Sequence, residues 1–138
     1  MAEAVQTEVR KLAYVAAITE GVRTVMAEQP TAFIAGEDVA GAGGVYGYYN
    51  GILKEFGADR VFDTPISEEG IVGLGVGAAA TGCRPIIDLM FMDFLGECMD
   101  EVANQLAKMR YMFGGAATLP VTMLTMAGAG MSLAAQHS

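Results

Sequence analysis

Apolar residues recur at three- and four-residue steps through Val9, Leu12, Ala16, Val22, Val25 and Met26, with two gaps, and predict a helix across residues 8–29. Pro30 ends it. The short apolar run Thr31-Ala-Phe-Ile-Ala stops at Gly36-Glu37-Asp38 and reads as a buried strand. A glycine-rich loop follows over residues 41–50, with Asn50 placed to cap a short helix that runs through Phe56 and closes at Gly57. Arg60-Val-Phe-Asp is a second strand, and Thr64-Pro65 turns the chain. Ser67 stands at the N-cap of a glycine-studded helix ending near Gly82. Pro85-Ile-Ile-Asp-Leu-Met-Phe makes a third strand. Residues 96–113 form a helix with Met99, Val102, Leu106, Met109 and Phe113 on one face, and Leu119-Pro-Val-Thr-Met-Leu-Thr makes a fourth strand. Gly128 and Gly130 open the final loop.

Strands alternating with helices imply an α/β fold, a parallel sheet flanked by helices on both faces. No internal repeat or low-complexity linker interrupts the 138 residues, so one domain is expected. A fourth strand with no helix after it leaves one side of the sheet thinly covered, and Ser138 therefore reads as a truncation rather than a natural stop.

The balance of 8 Lys+Arg against 16 Asp+Glu gives a net charge of −8, which argues against nucleic acid and anionic membrane surfaces as partners. The opening MAEAVQTEVRK reads as neither signal nor transit peptide. From Tyr111 onward the chain carries no Asp, Glu, Lys or Arg. Gly114-Gly115, Pro120, Gly128 and Gly130 nevertheless break it before an apolar span of about 20 residues can form. Two cysteines are too few for a secreted disulfide scaffold, so a reducing cytoplasm is expected. The apolar fraction of 53% is high for one small domain, and the surplus points to an oligomer.

Gly73-Leu-Gly75-Val-Gly77-Ala78 fits a dinucleotide fingerprint, with Asp93 about 20 residues on. Such a site needs its glycines in the turn before a helix, whereas here the helix has already begun at Ser67; close helix packing is the better reading. Gly41, Gly43, Gly44 and Gly47 lack the G-K-[ST] ending of a phosphate loop. Cys83 and Cys98, with a single histidine in the chain, make no metal-ligand pattern, and no nucleophile elbow is present. More informative are the acids at the carboxyl ends of the strands, where open parallel sheets bind ligands. Glu37 and Asp38 end the first strand, Glu68 and Glu69 follow the second, Asp93 follows the third, and the last loop reaches His137. A carboxylate held in an apolar crevice has its pKa raised by desolvation, which suits proton exchange with a ring nitrogen.

The segments Gly36-Glu-Asp-Val, Phe62-Asp-Thr-Pro-Ile-Ser-Glu, Gly75-Val-Gly-Ala-Ala, Arg84-Pro-Ile, Leu89-Met-Phe-Met-Asp-Phe and Ala134-Ala-Gln-His-Ser resemble one family in order and spacing. It is the β subunit of the thiamine-diphosphate-dependent first component of 2-oxo acid dehydrogenase complexes. Leu89-Met-Phe-Met-Asp-Phe and Arg110-Tyr-Met-Phe-Gly-Gly look most like the acetoin dehydrogenase branch, followed by pyruvate and branched-chain 2-oxo acid dehydrogenases. The resemblance implies a transketolase-like pyrimidine-binding domain over residues 1–138, without the second domain of the family. It also implies that Glu68 hydrogen-bonds N1′ of the cofactor's aminopyrimidine, that Phe94 stacks on that ring, that Glu37 is an acid in the polar tunnel between paired active sites, and that His137 lies near the substrate end. Glu97 departs from the family, where this position is often uncharged. The diphosphate and its Mg²⁺ would sit on a partner α subunit, in an α2β2 assembly that serves a lipoyl-bearing acyltransferase. The alternative is a domain that assembles with a partner and does no chemistry.

Overall fold

The computed structural model describes residues 9–128 and 130–137. Residues 1–8, on which the reading of the N-terminus rests, and Ser138, on which the expected break rests, lie outside them. Four strands, β1 (Ala32–Gly36), β2 (Val61–Asp63), β3 (Arg84–Phe91) and β4 (Thr122–Met126), form one parallel sheet in the order β2-β1-β3-β4. Helices α1 (Tyr14–Glu28) and α2 (Ile52–Phe56) cover one face, and α3 (Glu68–Ala80) with the helical run ending in α4 (Ala107–Met112) covers the other. β3 and β4 feed both layers because side chains alternate along them. Ile86 and Leu124 pack with Met26, Ile34 and Ile52, while Ile87 and Met123 pack with Ile71, Val72 and Val76. The fold class is the one that the alternating runs predict.

Local departures have physical causes. The first helix begins at Tyr14 and not at residue 8. No side chain caps its start, and Val9 and Leu12 find no surface to cover, so both are exposed. At its other end the Arg60 guanidinium donates to the carbonyls of Met26, Gln29 and Ala32 at 2.7–2.8 Å, supplying the cation that the helix lacks in its own last turn. Asn50 does not cap α2: Gly51, at a φ of 83°, takes the N-cap position and makes no side-chain bond. The Asn50 amide packs instead into the loop against Gly43, where its oxygen leaves no room for a Cβ and the φ of 80° favours glycine. Ser67 does occupy the N-cap position of α3, yet its hydroxyl makes no cap bond, and the helix ends at Ala80.

The predicted helix over 96–113 is the largest correction. A 3₁₀ segment (Met92–Cys98) comes first, and the following helical run contains a π-turn (Glu101–Leu106) before α4. A π-turn inserts an extra residue per hydrogen-bonded loop and rotates everything beyond it. Val102, Leu106 and Met109 therefore face the core, whereas Met99 and Phe113 at the two ends are exposed. Gly73, Gly75 and Gly77 lie inside α3, and Gly75 is the close-packing position: a Cβ there would meet Ile87 at 3.2 Å, whereas one on Gly77 would meet nothing within 4 Å. Among the described residues no helix is long and apolar enough to cross a membrane.

Candidate active site

The carboxyl ends of β1, β2 and β3 converge beside the first turn of α3. Asp63 closes β2 and accepts the backbone N–H groups of Ala40 (2.7 Å) and Gly41 (3.2 Å), pinning the start of the glycine-rich loop. Thr64 donates its N–H to the Gly36 carbonyl at 2.9 Å and so ties the β2 exit to the β1 exit. This brings Glu37, just after β1, close to Ser67 and Glu68. The Glu37 carboxyl is held above its ordinary value, first by burial and then by the charges of Glu68, Asp38 and Asp88, against the pull of the Ser67 N–H. Glu68 is buried at the first position of α3, with 7% of its surface exposed, whereas its neighbour Glu69 faces solvent.

The other half of the site is aromatic. Phe91 ends β3, and the 3₁₀ segment carries Phe94 back towards it, ring centroids 6.2 Å apart at 83°. The short turn Ala135–His137 brings the His137 imidazole edge-on to both rings, 4.8 Å from Phe91 and 5.5 Å from Phe94. Gly128 makes that turn possible, because a Cβ there would collide with the His137 carbonyl oxygen. Cys98 joins the two halves. Its thiol approaches the carbonyls of Leu95 (3.4 Å) and Phe94 (3.9 Å), and it is pushed up by burial and by the charges of Glu68, Glu97 and Glu69. Of the residues expected from the sequence, the fold thus pairs Glu37 with Glu68 and Phe94 with His137, and packs the Phe94 segment against α3. Asp38, with a φ of 54°, turns outward, and Glu97 and Asp93 are exposed.

Several buried polar atoms at this edge have no hydrogen-bond partner among the described residues: Glu37 Oε1, Thr64 Oγ1 and His137 Nδ1. Buried polar atoms are satisfied as a rule, so these fit a polar ligand lying across the strand ends. An apolar cleft of ≈ 400 Å³ between α1 and β4 lies elsewhere: Tyr14, Tyr46 and Leu124 line it, and none of Glu37, Glu68, Phe94 or His137 does. Sequence reasoning passed over Asp88, a fully buried acid in β3, although an acid inside an otherwise apolar run was the signal for it.

Comparison with known proteins decides the family. Residues 10–138 match the family model of the transketolase pyrimidine-binding domain. The chain belongs to that family. Acetoin:2,6-dichlorophenolindophenol oxidoreductase subunit beta of Bacillus subtilis is 49% identical over 134 residues, which cover 88% of this chain and 39% of the relative. The subunit of the same name from Cupriavidus necator is 47% identical over 139 residues, covering 94% and 41%. Pyruvate dehydrogenase E1 component subunit beta of B. subtilis is 41% identical over 128 residues, covering 93% and 39%. The chain spans about two fifths of the length of these curated relatives. Among solved structures, a chain described as "Split gene transketolase, inactive beta4 tetramer" has the same fold, with a TM-score of 0.58 at 18% identity over 78% of this chain and 31% of its own.

Proposed function

We propose that this pyrimidine-binding domain is the cofactor-activating part of the β subunit of a thiamine-diphosphate-dependent dehydrogenase of the acetoin or pyruvate type. The observation that carries the reading is the buried Glu68 at the first turn of α3, paired with Glu37 on one side and with the Phe94 segment on the other. Glu37 Oε1, Thr64 Oγ1 and His137 Nδ1, without a partner among the described residues, support a polar ligand at this edge. When bound, thiamine diphosphate supplies a carbon nucleophile for attack on the carbonyl of a 2-oxo acid or of acetoin. Glu68 holds the proton that is exchanged with pyrimidine N1′, and Phe94 supplies a face for that ring. Glu37 is an acid in the polar tunnel between paired active sites, and His137 stands at the substrate end. The diphosphate and Mg²⁺ are held by an α subunit, the assembly is α2β2, the acyl acceptor is a lipoyl-bearing acyltransferase, and the enzyme works in the cytoplasm.

The test is Glu68→Gln in the enzyme reconstituted with its α subunit. An amide of the same shape cannot exchange the N1′ proton, so hydrogen–deuterium exchange at cofactor C2 should fall by about 10²–10⁴-fold while subunit assembly is retained. Exchange at the wild-type rate would end the assignment. A second reading, a domain that assembles without chemistry, is favoured by the exposed apolar residues Tyr111, Met112 and Phe113. Calorimetric titration separates the two: assembly with the partner but no thiamine diphosphate binding supports the second.

A further inference from the structure

Asp88 is 1% exposed in the middle of β3, and no role assigned above uses it. A carboxylate buried this deeply is tolerated only when its oxygens are hydrogen-bonded. Oδ2 accepts the Tyr48 hydroxyl at 2.6 Å, and Oδ1 accepts the backbone N–H of Met90 at 2.7 Å. The two donors come from separate parts of the fold. Tyr48 lies near the end of the glycine-rich loop, locked edge-on against Tyr49 with ring centroids 4.6 Å apart. Met90 is where β3 loses its register with β4: the ladder shifts between Asp88 and Phe91, and Met90 has a φ of 58°. That left-handed backbone is unfavourable for a non-glycine residue and persists only where its surroundings enforce it. The residue after the strained one is Phe91, the ring that His137 and Phe94 both meet.

We propose that Asp88 is a positioning residue for the cofactor pocket: its carboxylate fixes the β3 bulge and ties it to the glycine-rich loop, so that Phe91 and Phe94 keep their places against His137. Bulges beside active sites commonly re-aim a side chain in this way. Gly36 is part of the device, since a Cβ there would stand 2.7 Å from the Asp88 carbonyl oxygen. The proposal rests on the reading of Phe94 as a wall of the pyrimidine pocket.

The experiment measures thiamine diphosphate affinity by calorimetry, and melting temperature, in the reconstituted two-subunit enzyme carrying Asp88→Ala, Asp88→Asn, Tyr48→Phe or Phe94→Ala. Asp88→Ala releases both arms and should weaken binding about tenfold, as a small misplacement of binding groups does. Asp88→Asn should rescue it, because the amide oxygen still accepts from Met90 and the amide nitrogen can donate to the Tyr48 oxygen. Tyr48→Phe frees only the loop arm and should weaken binding about threefold. Lower melting temperatures with unchanged affinity would mean that Asp88 is merely structural and would overturn the proposal. Should Asp88→Ala fail to assemble, unchanged affinity in Tyr48→Phe overturns it equally. If Phe94→Ala weakens binding while the Asp88 and Tyr48 variants do not, positioning alone falls; if Phe94→Ala also leaves affinity unchanged, the pocket reading falls with it.

Discussion

Glu37 is the residue whose chemistry is most exposed to measurement. A carboxyl held above its usual value near 4.5 keeps a proton in the folded state that the unfolded chain has already released. The folded state then binds more protons, so this group's contribution to stability falls as pH rises through that window. Glu37→Gln imitates the protonated form at every pH. The variant should melt higher than the parent at pH 7, and the gain should vanish below pH about 4, where the parent's carboxyl is protonated in both states. Thermal unfolding of the pair between pH 4 and 8 reads this directly, since every other acid is common to both; a variant less stable at pH 7 would show that Glu37 is paired. Phe94→Ala should weaken thiamine diphosphate binding by about 1–3 kcal/mol through lost stacking and buried area. An unchanged dissociation constant would make Phe94 ordinary core. Glu37, Glu68, Phe94 and His137 could be named from short motifs because each lies at a strand end or loop where motif and position coincide. Asp88 shows in the sequence only as an acid inside an apolar run; its partners do not show, because Tyr48 is 40 residues away and Met90 sits in a bulge that no local pattern announces.

At the scale of elements, the strands were legible because each is a short apolar run closed by a turn signal, and three of the four match at both ends to within one residue, while β4 starts later than expected, at Thr122. Helix boundaries were less so. A stripe at Val9 and Leu12 has helical spacing, but burial and not spacing decides where a helix starts, and the sheet does not reach that far. The 92–112 region shows the same priority: its apolar residues fit one helix on paper, yet the π-turn keeps Val102, Leu106 and Met109 on the core and gives up Met99 and Phe113 to solvent. Where β1 and β3 pass closest, sequence and packing agree on glycine. A Cβ at Gly36 would lie 2.7 Å from the Asp88 carbonyl oxygen and 2.9 Å from its Cβ, and backbone on both sides leaves nothing flexible to yield. Gly36→Ala should therefore cost about 1–3 kcal/mol of stability, the range for overpacking a core. Gly77→Ala, on the exposed side of α3 with open space around it, serves as the control and should be neutral or stabilising. Equal unfolding midpoints for Gly36→Ala and the parent in a urea titration would remove the close-approach argument.

Over the whole molecule, four strands with helices on both faces account for the two buried clusters but leave much apolar surface uncovered. Tyr111 is 89% exposed, Ile66 82% and Met112 76%, and the cleft between α1 and β4 is lined almost entirely by apolar groups. Isolated exposed apolar residues are common in soluble proteins, but three in a row at Tyr111, Met112 and Phe113 form a patch of the kind that marks an interface. Opposing this is the net charge of −8, which repels like copies at long range. Apolar burial is short-ranged and insensitive to salt, whereas the repulsion is screened beyond a Debye length of about 8 Å at physiological ionic strength. The 138-residue chain alone should therefore self-associate at micromolar concentration and do so more strongly as salt is added, burying more than about 1,000 Å² if the contact is specific. Tyr111→Ser with Phe113→Ser should shift it towards monomer. Sedimentation velocity across a salt series, run beside an acetoin and pyruvate turnover assay, examines both halves of the argument. A monomer at every salt concentration would refute the exposed-interface account, and turnover by the chain without an α subunit would refute the division of the active site between two subunits.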